Sequence, residues 1–146
     1  MSRKNNNNLF YTCSLIEMIG RTNYLKRSDV VKYLGEDTIK HIYNYSDIYH
    51  CEPIQKITDD FIREYEIPKG NFDNVKSCIY GVPGYFVIGQ VYERLIEDVS
   101  DEENIVEKLL EVFQSWIDDY ISNYNIAVYY QSRDYILACY KQGEIL

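Results

Sequence analysis

Residues 100–120 read Ser100-Asp-Glu-Glu-Asn-Ile105-Val-Glu-Lys-Leu-Leu110-Glu-Val-Phe-Gln-Ser115-Trp-Ile-Asp-Asp-Tyr120. Val106, Leu109, Leu110, Phe113, Trp116, Ile117 and Tyr120 recur at three- and four-residue intervals, which lays one apolar stripe along an α-helix. The Ser100-Asp101-Glu102-Glu103 run before it has the S-x-x-E form of a capping box, whose side chains satisfy the free N–H groups of a first helical turn. Nothing in the chain shows an equally clear two-residue alternation, so this segment sets the class as all-α.

The same signature returns on either side of this segment. A final helix over Ser132 to Gln142 carries Ile136, Cys139 and Tyr140 and stops at Gly143. Ala127 to Tyr130 before it reads as a loop or a stub of strand. On the other side, a helix runs from about Phe86 through Val91, Leu95 and Val99. Residues 70–84 are irregular, with Pro83-Gly84 suited to a type II turn and room for a short hairpin near residues 78–87. Pro53 opens a helix with Ile54, Ile57, Phe61 and Ile62 on its apolar face, closed by Pro68-Lys69-Gly70. Ile39, Ile42, Tyr43, Ser46 and Tyr49 mark another, and Ser28-Asp29 offers a cap for Val30, Val31 and Leu34, with Gly35 as the stop. Leu9, Cys13, Ile16 and Gly20 make the first. The expectation is a single-domain bundle of six or seven helices over residues 1–146, with residues 1–8 frayed around the Asn5–Asn8 tract.

The composition agrees. The chain has 146 residues, 46% apolar and 26% charged, within the range of soluble globular domains and long enough to fold without metal or disulfide staples. No apolar run reaches membrane-spanning length. Leu9 to Met18 mimics a signal peptide, but Glu17 interrupts it and no small-x-small cleavage site comes after it. Cys13, Cys51, Cys78 and Cys139 form no CxxC pair, so reduced thiols and a cytoplasmic location are expected.

The charge is uneven. Residues 1–90 balance at eleven acidic and eleven basic side chains, and residues 120–146 also cancel. Residues 91–119 carry ten acidic side chains against Arg94 and Lys108, so the whole net charge of −8 sits there. On a helical wheel Glu103, Glu107, Asp118 and Glu111 fall at about 0°, 40°, 60° and 80°. They read as one acidic ridge opposite the Phe113 face. With nearby Asp101 and Glu102, this ridge is either a solubilising face or a docking strip for a protein with a basic surface. Such a charge disfavours direct nucleic-acid binding. Arg3, Lys4, Arg21, Lys26, Arg27 and Lys32 give the N-terminal part a positive lean, which suits head-to-tail homo-oligomers.

Chemistry is harder to find. His41 and His50 fall on opposite sides of a continuous helix and share no metal there. The sequence has no Walker loop, G-x-S-x-G or G-x-G-x-x-G motif. Cys51 with His41 or His50 remains the one catalytic arrangement open. The expectation is therefore a non-enzyme with no cofactor and no metal. Sixteen tyrosines suit domain rims and interfaces, since each buries a ring and keeps a polar tip. Tyr43, Tyr49, Tyr65, Tyr92 and Tyr120 take core-facing positions, while Tyr24, Tyr45 and Tyr129-Tyr130 take outer ones.

Across residues 9–66 the order of Leu15-Ile16-Glu17, Val30-Val31, Leu34-Gly35, Ile42-Tyr43, Tyr49-His50, Ile57 and Phe61-Ile62 resembles a family of small uncharacterised helical proteins of low-GC Gram-positive bacteria. Relatives of that family lie near genes for toxin-like proteins, including ADP-ribosyltransferase-like ones. The resemblance implies an antitoxin, immunity or phage-type inhibitor role and transfers no catalytic residue. The functional expectation is a protein that binds a partner protein through Asp101, Glu102, Glu103, Glu107, Glu111 and Asp118. Its alternative is a small-ligand or nucleotide-binding bundle with a tyrosine-lined pocket.

Overall fold

A computed structural model describes residues 6–146. The first helix, α1 (Asn7–Asn23), is the axis of the molecule. Leu9, Tyr11, Thr12, Cys13, Ser14, Leu15, Ile16, Glu17, Ile19 and Gly20 are all buried, which covers every side of the helix. A helix wrapped this way has no solvent stripe, and its polar residues must find partners inside.

Eight further α-helices and one 3₁₀ turn complete the order among the described residues: α2 (Arg27–Leu34), α3 (Glu36–Asn44), α4 (Ser46–Tyr49), α5 (Ile54–Glu64), α6 (Tyr85–Val99), α7 (Ile105–Phe113), α8 (Ile117–Ile121), the turn Ala127–Tyr130 and α9 (Arg133–Gln142). No strand occurs among the described residues. The fold is all-α, and the hairpin option at residues 78–87 gives way to irregular chain leading into α6. Residues 127–130 are likewise neither strand nor open loop but the 3₁₀ turn.

Helix α6 lies antiparallel along α1. The Asn6 N–H donates to Glu97 Oε2 at 3.1 Å near one end, and Arg21 Nη2 donates to the Pro83 carbonyl at 2.8 Å near the other. Between them the backbones approach so closely that a Cβ on Gly89 would stand 2.2 Å from Ser14 Oγ and 2.9 Å from its Cα. Asn6 also caps α1 by accepting from the Leu9 N–H at 3.0 Å and donates to the Tyr43 hydroxyl at 2.9 Å. The expected fraying therefore fails at residues 6–8; its remainder, residues 1–5, lies outside the described residues.

Several boundaries depart from the periodicity. The stretch 104–120, which reads as one helix, is two. Ser115 donates both its N–H (3.1 Å) and its hydroxyl (2.7 Å) to the Val112 carbonyl. This i−3 bonding tightens the chain into a 3₁₀ turn and re-aims the start of α8. Tyr120 consequently stands 42% exposed rather than in the core, and Tyr65 is also exposed, at 38%. The helix expected over residues 38–50 breaks at Tyr45 into α3 and α4. Helix α2 starts at Arg27, one residue before the expected Ser28 cap. Ahead of α7, the reciprocal bonds join Asp101 and Asn104 rather than Ser100 and Glu103: Asn104 Oδ1 accepts the Asp101 N–H at 2.7 Å and Asp101 Oδ1 accepts the Asn104 N–H at 3.1 Å. Helix α9 has the expected ends, with Ser132 capping Tyr135 N–H and Gly143 left-handed at φ 84°.

Candidate functional site

The ten acidic residues of positions 91–119 do not share one surface. Glu93 is buried and hydrogen-bonded to Glu97; burial first, then that neighbour, pushes its carboxyl up to about 7. Arg133 of α9 clamps Asp98 at 2.9 and 3.2 Å and Glu97 at 3.3 Å. Asp118 is 2% exposed and accepts the Tyr92 hydroxyl, so it does not belong to the ridge. The break at Ser115 is the reason, because it turns α8 inward. Burial pushes the Asp118 carboxyl up to about 6, against opposing pulls from Tyr92 and Arg27.

Asp101, Glu102, Glu103, Glu107 and Glu111 remain exposed. Glu111 pairs with Lys108 at 3.1 Å, and the Asp101 carboxylate serves the turn before α7. The carboxylates of Glu102, Glu103 and Glu107 have no hydrogen bond or ion pair among the described residues.

The positive lean of residues 1–34 is also partly consumed inside. Arg27 is 0% exposed. Its guanidinium reaches Glu17 through Nε at 2.8 Å and Nη2 at 3.0 Å, the Leu25 carbonyl through Nη1 at 2.7 Å, and Asn74 Oδ1 at 3.2 Å. Arg21 Nε adds a third bond to Glu17 at 2.7 Å, and the Tyr124 hydroxyl a fourth. Gly20 makes room for this, since a Cβ there would sit 2.4 Å from Arg27 Cδ. Burial alone would raise the Glu17 carboxyl, but the Arg27 charge and hydrogen bonds, then Arg21 and Tyr124, outweigh it and hold the group below its ordinary value. Asn74 passes the network on to the Ser122 carbonyl at 2.9 Å. Its members satisfy one another, which makes it a clamp between α1, α2, α8 and the loops rather than a receptor.

The receptor-like feature lies elsewhere. An open groove of about 990 Å³ runs between the N-terminal half of α1, the α4–α5 corner and the start of α6. Phe10, Tyr11, Tyr85 and Phe86 supply its aromatic lining, and His50, Cys51, Asp47 and Glu52 come from the corner. Tyr11 stacks on the His50 ring at 5.6 Å and is 8% exposed, yet its hydroxyl has no hydrogen-bond partner among the described residues. Burial, then Tyr49 and Tyr85, pushes this phenol up to about 12. The Ser14 hydroxyl, on the same wall and pressed against Gly89, is also without a partner among them. An orphaned buried hydroxyl costs about 1–3 kcal/mol; of the three among the described residues, Tyr11 and Ser14 line this opening and Thr58 does not.

Cys51 is exposed and its thiol donates to the Asp47 carbonyl at 3.5 Å, while His41 packs against Tyr45 and Tyr49. Among the described residues no three metal-ligating side chains converge, and no helix is long and apolar enough to cross a membrane. Sequence reading picks out His50 and Cys51 but misses Tyr11, Tyr85 and Phe86; the only available signal is a tyrosine on a helix with no polar face.

Compared with known proteins, the chain matches no family model, no curated protein and no solved structure.

Proposed function

We propose that the chain works by binding rather than by catalysis, and that its ligand occupies the groove between α1, the α4–α5 corner and α6. The observation that carries this reading is the Tyr11 hydroxyl, buried beside the groove without a partner among the described residues. Large pockets lined by aromatic rings with a few unsatisfied polar groups are the usual form of a small-molecule site. A purely structural Tyr11 would do better as phenylalanine.

That contrast is the test. Tyr11→Phe is expected to raise stability by about 1 kcal/mol, because the orphaned hydroxyl goes and the ring stays. It should also lose thermal-shift hits that the wild type gives with a library of small aromatic compounds. A variant that is destabilised, or that keeps every hit, would overturn the proposal.

A second reading concerns a partner protein, as expected of an antitoxin, immunity factor or phage-type inhibitor. It is supported by Glu102, Glu103 and Glu107, whose carboxylates hold nothing in the fold together among the described residues. Together with Asp101 and Glu111 they would steer a basic protein surface toward α7, with Asp118 playing no part. Charge complementarity of this kind mostly speeds association and is weakened by salt. The triple variant Glu102→Gln, Glu103→Gln, Glu107→Gln should keep or raise the melting temperature and lose a lysate protein that the wild type retains at low salt. Equal retention by both would end this reading.

A further inference from the structure

We infer that the ligand of the groove is an organic cation with an aromatic body, an inference that rests on the groove being a ligand site. The charged side chains lining it are the carboxylates of Asp47 and Glu52, with His50 between them in sequence; no described lysine or arginine lines it. Lys56, one turn further along α5, is held by Asp60 at 3.0 Å. Among the described residues, a phosphate or carboxylate ligand would therefore meet two like charges, with the nearest cation, Lys56, shared between Asp60 and the field of Glu52. That favours the small-ligand branch of the ligand-binding alternative over its nucleotide branch.

The walls agree with the rim. Aromatic rings present negative π-faces, and a cation within about 6 Å of a ring centroid is attracted to them. Phe86 is 54% exposed at the groove, and Tyr85 meets it edge-on at 5.6 Å, which leaves ring surface open to a ligand. An ammonium N–H also suits the orphaned Tyr11 hydroxyl, whose oxygen can accept without giving up its proton. The overall charge of −8 biases encounter in the same direction.

Three probes with one body separate the contributions: tyramine (cationic), tyrosol (neutral) and 4-hydroxyphenylacetate (anionic), each titrated into the isotope-labelled full chain and followed by amide NMR. Tyramine should bind about tenfold more tightly than tyrosol, and 4-hydroxyphenylacetate more weakly than either, with shifts centred on Tyr11, His50 and Phe86. Combining Asp47→Asn with Glu52→Gln should bring tyramine down to the tyrosol level while leaving tyrosol unchanged. Equal binding of tyramine and tyrosol, or preference for the anion, overturns the cation inference and leaves the groove as a ligand site. Silence from all three up to their solubility limits overturns both.

Discussion

Arg27→Ala should destabilise the protein by about 3–5 kcal/mol, the usual consequence of stranding one member of a buried ion pair. Against a total stability of about 5–15 kcal/mol for a domain, that is enough to populate the unfolded state in mild urea. The cause is Glu17, which is 0% exposed and loses its two-pronged partner. Arg21 alone cannot replace it, because its Nη2 is already committed to the Pro83 carbonyl. Arg27→Lys should recover only part of the loss, since an ammonium cannot reproduce the planar fork that meets Glu17, Leu25 and Asn74 together.

The same pair gives a signature in pH. Glu17 has a lower pKa folded than its ordinary 4.5. Its contribution is therefore complete above about pH 4.5 and disappears as pH falls through the lower folded value. Urea midpoints of wild type and Arg27→Ala should differ most above about pH 5 and converge in acid. A constant difference across that range, or an Arg27→Ala penalty below about 1 kcal/mol, would show that the pair is not what holds this region.

Gly89→Val should have a comparable effect by a different route. A Cβ at residue 89 would meet Ser14 Cα at 2.9 Å and Ser14 N at 3.0 Å as well as its hydroxyl. The hydroxyl can rotate away or be removed by Ser14→Ala, but the backbone of a helix buried on all sides cannot. Glycine costs about 1 kcal/mol of helix propensity relative to alanine, a gain that Gly89→Ala recovers and then loses to overpacking of about 1–3 kcal/mol. For valine the two extra methyl groups leave α1 and α6 no close-packed solution. Loss of the cooperative thermal transition in Gly89→Val, with Ser14→Ala failing to restore it, is the expected outcome. Cooperative unfolding near the wild-type midpoint would count against the close approach.

How much of the fold is legible in the sequence depends on how local each cause is. Helix α9 is readable at both ends because Ser132 and Gly143 act on their own neighbours, one through a cap and one through a left-handed φ. Pro53 and Gly35 work for similar reasons. The break before α8 is not readable, since Ser115 acts through one carbonyl of the preceding turn and leaves the apolar spacing untouched. The misplacement of Asp118 on the ridge is a direct result. Arg27 looks like part of a positive surface because its partner is ten residues away across a helix turn; the clue is Glu17, an acid amid apolar residues. The groove's one local signature is Tyr11 on a helix with no polar face, as its walls come from three separate parts of the chain that meet only after folding.

The burial of α1 also bears on synthesis. Its main companion is α6, and the contact between Ser14 and Gly89 closes only after roughly 75 further residues have been made. At about 5–20 residues per second, that is a delay of roughly 4–15 s during which the α6-facing side of an apolar helix lacks its cover. A nascent chain in that interval presents Leu15, Ile16 and Ile19 to whatever is nearby. Helices α2, α3 and α5 cover the other sides of α1 earlier, so it is the α6-facing side that is sheltered last, and rapid translation of residues 24–99 shortens that exposure.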